Sequence, residues 1–136
     1  MDRLFLDANI LFSAAYRPDA GVTRLWLLTD PVLLTSDYAI EETRRNLSEP
    51  SQLELLSELL RSVESYPAAS LDPALRADIE LREKDWPILG GAVTARATHL
   101  ITGDLRDFGP YFGTKLLGVM ILRPADYLNS QGDPED

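Results

Sequence analysis

The sequence predicts an α/β fold in which a central parallel, doubly wound sheet is flanked by helices on both faces. Short apolar runs of strand length alternate along the chain with stretches whose apolar residues recur at helical spacing. At 136 residues, 45% of them hydrophobic, the chain has the size and composition of one globular domain with a single core. Its acidic residues fall where a strand ends or a helix begins, at the edge where parallel sheets bind their ligands.

Arg3–Leu6 reads as a short buried strand, followed by a helix over Ala8–Ala15 with Asp7 or Asn9 as its cap. Val22, Leu25, Trp26 and Leu28 mark a second helix by spacing, and Pro31 stops it. Val32–Leu34 is the second strand, and Thr35, Ser36 and Asp37 offer caps for a helix running through Leu47. Pro50 and Ser51 open the next helix, with Leu53, Leu56, Leu60 and Val63 on one face. Val63–Tyr66 is a short strand, and Asp72–Pro73 starts a helix expected to reach about Arg82.

Asp85 is placed to cap a helix over Trp86–Ala97, where Pro87 is tolerated in the first turn and Gly90–Gly91 allow close packing on the sheet. His99–Thr102 is an apolar strand ending in Gly103–Asp104, and Leu117–Leu122 completes the sheet. Residues 1–129 are expected to form the domain and 130–136 a polar, disordered tail.

The chain has no cysteine, which excludes disulfides, thiolate metal sites and a cysteine nucleophile. His99, the sole histidine, precedes an apolar pair and reads as a strand-start residue. No apolar run approaches membrane-spanning length, and Asp2 interrupts what would be a signal segment, so a cytoplasmic protein with no membrane association is expected. A net charge of −9 argues against a broadly basic nucleic-acid binder. More than half of that excess lies in five acids: Asp7, Glu42, Asp85, Asp104 and Asp107.

A parallel sheet brings its strand ends to one edge, so acids as distant in sequence as Asp7 and Asp104 can become neighbours. Carboxylates gathered there repel one another unless a cation neutralises them, and oxygen-only donors suit a hard divalent metal. The plain alternative is that Asp7, Asp85 and Asp104 are helix caps, each worth about 1 kcal/mol. Glu41 and Glu42 flank the core face of their helix almost symmetrically, and periodicity does not choose between them.

The order of these stations, in LFLDANILFSA, YAIEETRRNL and KDWPILGGAVTARATHLITGDLRDF, resembles the PIN domain family of metal-dependent ribonucleases from about Leu4 to Leu128. The resemblance implies a three-layer fold with a central parallel sheet, and catalytic acids at Asp7, Glu42, Asp85 and Asp104. It selects Glu42 over Glu41 by its spacing from Leu47. It implies Mg²⁺ or Mn²⁺ held by Asp7, Asp85 and Asp104, with Asp107 as a further acid, and hydrolysis of RNA to 5′-phosphate products. Many small members are VapC-type toxins held inactive by an antitoxin, so RNA, an antitoxin and a homodimeric copy are the expected partners. Asn9 and Thr102 are placed to hydrogen-bond the carboxylates, and Arg44, Arg45, Arg106 and Lys115 to contact phosphates, with Arg17 a weaker candidate.

Two other readings remain at this level. A haloacid-dehalogenase-like phosphohydrolase would use Asp7 as nucleophile, although the second acid of that chemistry is replaced by Asn9. A non-catalytic PIN scaffold would keep the acids and act through a protein partner.

Overall fold

The computed structural model describes residues 1–76 and 78–131. Strand β1 (Arg3–Leu6) leads into helix α1 (Ala8–Tyr16), then β2 (Val32–Ser36), α2 (Asp37–Asn46), α3 (Pro50–Leu60) and β3 (Val63–Tyr66). Helix α4 (Trp86–Thr94) precedes β4 (His99–Ile101), and the chain continues through β5 (Lys115–Leu116), β6 (Val119–Leu122) and α5 (Pro124–Ser130). The six strands form one sheet in the order β3-β2-β1-β4-β6-β5, parallel except for β5.

Leu4, Phe5 and Leu6 are all fully buried. Successive strand residues face opposite sides, so β1 must be covered on both. On one side, α4 comes so close that a Cβ on Gly91 would lie 2.8 Å from the Phe5 ring; this is the close packing expected of Gly90–Gly91. Helix α1 packs on α2 and α3. No helix among the described residues is long and apolar enough to cross a membrane.

Several elements depart from expectation for local reasons. Val22–Leu28 is not an α-helix; Gly21–Leu27 forms a 3₁₀ helix. The helix expected from Asp72 shrinks to a 3₁₀ turn at Pro73–Leu75, capped by Asp72 Oδ1 on the Ala74 N–H at 2.9 Å. Beyond it the Glu80 N–H donates to the Tyr111 hydroxyl at 2.8 Å rather than to a helical carbonyl, and the Arg76 guanidinium stacks on Trp86. Helix α4 stops at Thr94, because Arg96 adopts φ 57° and the Ala97 N–H returns to the Ala92 carbonyl at 2.9 Å, closing a Schellman motif.

Leu117 does not begin the last strand. Leu117 and Gly118 both have positive φ and make the two-residue turn between β5 and β6, an antiparallel hairpin that apolar content alone does not reveal. Helix α5 was not anticipated either; it buries Tyr127, whose hydroxyl donates to Asp2 Oδ2 at 2.7 Å. Of the expected tail, Ser130 belongs to α5, Gln131 is a turn residue, and 132–136 lie outside the described residues.

Candidate metal centre

Parallel pairing of Leu6 with Ile101 brings the next residues, Asp7 and Thr102, out side by side at the C-terminal edge of the sheet. Asp7 is buried, and its carboxylate is held on both oxygens. The Ala8 N–H donates to Oδ1 at 2.6 Å, while the Thr102 hydroxyl and the Asn9 amide donate to Oδ2 at 2.8 and 3.1 Å. Asn9 also accepts from the Gly103 N–H at 2.9 Å, tying α1 to the loop after β4. Asp7 therefore caps α1 itself, and Asn9 braces the acid rather than replacing it as the cap. Burial pushes the Asp7 carboxyl up to about 6, against the pull of Thr102 and Ala8, and the charges of Asp104 and Glu42 add to the rise.

Asp85 does not cap α4. It lies in helical conformation in the 3₁₀ turn Glu83–Asp85, and its side chain makes no capping bond. The carboxylate is 4% exposed, and its Oδ2 is buried with no hydrogen-bond partner among the described residues. Asp104 begins the loop after β4 and accepts the N–H groups of Arg106 and Asp107 on Oδ1, both at 3.1 Å. That turn carries Asp107 back toward Asp85. One carboxylate oxygen from each of Asp85, Asp104 and Asp107 lies within 4.8 Å of the others.

Burial is the first cause that lifts the Asp85 carboxyl to about 8, followed by its hydrogen bond to Asp107 and the charges of Asp107 and Asp104. The same hydrogen bond, with the nearby Arg82 cation, holds Asp107 below the usual carboxylate range. Three hard oxygen donors around an orphaned buried carboxylate oxygen fit a divalent cation.

The cleft has a volume of about 420 Å³, and its lining includes Asp7, Glu42, Asp85 and Asp104, joined by Phe12, Thr43, Asn46 and Lys84. Glu42 is half-buried and faces this space, whereas Glu41 is exposed and does not line it. Asp7 and Glu42 line the same cleft as Asp85 and Asp104 but are not part of the tight trio with Asp107.

The expected cations are placed unevenly. Arg44, Arg45 and Arg106 are exposed, and none lines the cleft. Lys115 is not brought to the site. It pairs with Met120, which is level with His99 at the start of β4, so it lies toward the opposite end of the strands on the sheet's edge. Sequence reasoning missed Lys84, which lines the cleft, and Arg82, whose Nε lies 3.1 Å from Asp107 Oδ1. Their one signal was adjacency to Asp85.

No family model and no curated protein matches the chain. Solved structures do. A chain of VapBC2 from Rickettsia felis, in a structure bound to a DNA fragment from their promoter, aligns with TM-score 0.65 at 15% identity, covering 89% of this chain and 98% of that one. VapBC-1 from nontypeable Haemophilus influenzae aligns with TM-score 0.57 at 13% identity over 90% and 98%. FitAB bound to an IR36 DNA fragment gives 0.52 at 17% over 89% and 94%. The fold is that of a VapC-like PIN domain.

Proposed function

We propose that the protein is a Mg²⁺- or Mn²⁺-dependent endoribonuclease and the toxin of a toxin–antitoxin pair. One observation carries the reading: carboxylates from four separate segments, Asp7, Glu42, Asp85 and Asp104, line one cleft at the C-terminal edge of the sheet, and the last two lie with Asp107 with oxygens within 4.8 Å of one another. The likeness to chains of VapBC and FitAB complexes supports it and is the reason for inferring an antitoxin partner.

In this reading Asp85, Asp104 and Asp107 hold the cation, and Asp7 faces them as a fourth ligand. A bound divalent ion would supply Lewis acidity and activate water at neutral pH. Thr102 and Asn9 keep Asp7 in one rotamer, so the fourth ligand costs no rearrangement when the ion arrives. Glu42 completes the site from α2, directly or through a water that it orients toward phosphorus. Lys84 at the rim offers a cation to a non-bridging phosphate oxygen, a contact worth most where water is excluded. Arg45 and Arg106, further out, would contact flanking phosphates and position the strand.

An Asp7 nucleophile is disfavoured, because Asn9 stands where that chemistry needs a second acid and offers no proton to a leaving group. The test is cleavage of single-stranded and structured RNA by the purified protein with Mn²⁺ or Mg²⁺, against EDTA and Asp104→Asn controls. Metal-dependent cutting is expected, and the variant should lose more than the roughly 10–100-fold typical of losing a ligand's hydrogen-bond partner. RNA left intact by folded, Mn²⁺-loaded protein would instead favour a non-catalytic scaffold.

A further inference from the structure

We propose that Arg82 is a positioning residue that sets the metal affinity of the acidic cluster by holding the Asp107 carboxylate in place from outside the cleft. The inference rests on the reading of Asp85, Asp104 and Asp107 as metal ligands. Arg82 engages two of the three. Its carbonyl accepts the Asp85 N–H at 2.9 Å, closing the turn that carries Asp85, and its Nε lies 3.1 Å from Asp107 Oδ1. One residue therefore connects acids delivered by separate segments of the chain.

Asp107 needs such a hold. Its backbone is fixed, since its N–H donates to Asp104 Oδ1 and the next residue, Phe108, is fully buried. Its side chain instead places one oxygen within 4.8 Å of carboxylate oxygens of Asp85 and Asp104, groups that repel it when ionised. Among the described residues Arg82 is the one cation within 4 Å of it.

Arg82 does not line the cleft; it lines a separate hollow of about 520 Å³ with Arg106, Asp107 and Tyr111. Its side chain is 42% exposed, against 9% for Asp107. Water thus screens its repulsion of an incoming cation, while the ion pair with Asp107 is sheltered at the carboxylate end. Holding the ligand outweighs repelling the ion, and this fixes the sign of the effect.

The test is the Mn²⁺ affinity of the full chain, read by titration calorimetry and by the electron paramagnetic resonance signal of free Mn²⁺. Arg82→Ala is expected to bind Mn²⁺ about 10–100-fold more weakly. Arg82→Lys, which keeps a cation without the guanidinium's fixed geometry, should fall between the two and carries the test if the alanine variant does not fold. In an Asp107→Asn background, Arg82→Ala should add no further loss. Equal or tighter binding by Arg82→Ala, or losses that simply add in the double variant, would overturn the inference while leaving the nuclease reading intact. A wild-type protein that binds no Mn²⁺ would overturn both.

Discussion

Burial lifts the Asp85 carboxyl to about 8, with its hydrogen bond to Asp107 and the charges around it contributing, so near neutral pH the metal-free site holds a proton where a cation would sit. Two consequences follow at the scale of this residue. The cation must displace that proton, so Mn²⁺ affinity should rise with pH, about tenfold per unit, and level off above about 8; calorimetry in buffers of different ionisation enthalpy would measure the proton released. The second concerns stability. The unfolded carboxyl ionises near 3.8 while the folded one keeps its proton up to about 8, so the unfolded state binds fewer protons in that window and metal-free stability falls as pH rises through it. Asp7 adds a fall in the same direction between 3.8 and about 6. Asp85→Asn should therefore raise the EDTA melting temperature at pH 8 by roughly 3–5 °C, raise it little at pH 4, and abolish tight Mn²⁺ binding. A variant no more stable than wild type at pH 8 would mean that the carboxylates do not strain the fold.

At the scale of elements, what places the acids is the seating of α4 and the loop after β4 against the sheet. Gly91→Ala would put a methyl group against the Phe5 ring, which is fully buried and has little room to yield, with Ser36 Cβ 3.5 Å away. We expect about 1–3 kcal/mol of destabilisation by chemical denaturation, and weakened Mn²⁺ binding, because displacing α4 displaces Asp85 at its start. Unchanged stability would show that α4 can shift freely. The same elements explain what could be read from the sequence. The helical spacing of α2 and α3 and the apolar runs of β1, β2 and β4 were legible, since burial on one or two faces writes itself into residue order. The helix expected from Asp72 to about Arg82 was not: Tyr111 takes the Glu80 N–H and Arg76 stacks on Trp86, both from partners distant in sequence, which overrides the local preference for helix. The Leu117–Gly118 turn was hidden because leucine rarely adopts positive φ.

For the whole molecule, three carboxylates with oxygens within 4.8 Å of one another repel in the absence of a cation, so a divalent ion bound there is expected to stabilise the fold. Free Mn²⁺ at a hundred times its dissociation constant is expected to add about 2.7 kcal/mol to stability, and Asp104→Asn should lose this gain while melting normally in EDTA; a melting temperature indifferent to Mn²⁺ in the wild type would contradict a specific site. The sequence by itself determined the fold class and singled out Asp7, Asp85 and Asp104 as candidates, because strand–helix alternation and acids at strand ends are properties of residue order; it left Glu41 and Glu42 level by periodicity. Only the tertiary structure decided how those acids group. It drew Asp85, Asp104 and Asp107 into one cluster, lined the adjoining cleft with Asp7 and Glu42 rather than Glu41, left Lys115 toward the far end of the strands, and brought Arg82 onto Asp107. The reason is that register, turn geometry and side-chain rotamer are fixed by contacts between residues far apart in the chain, and those distances are not written in the order of the residues.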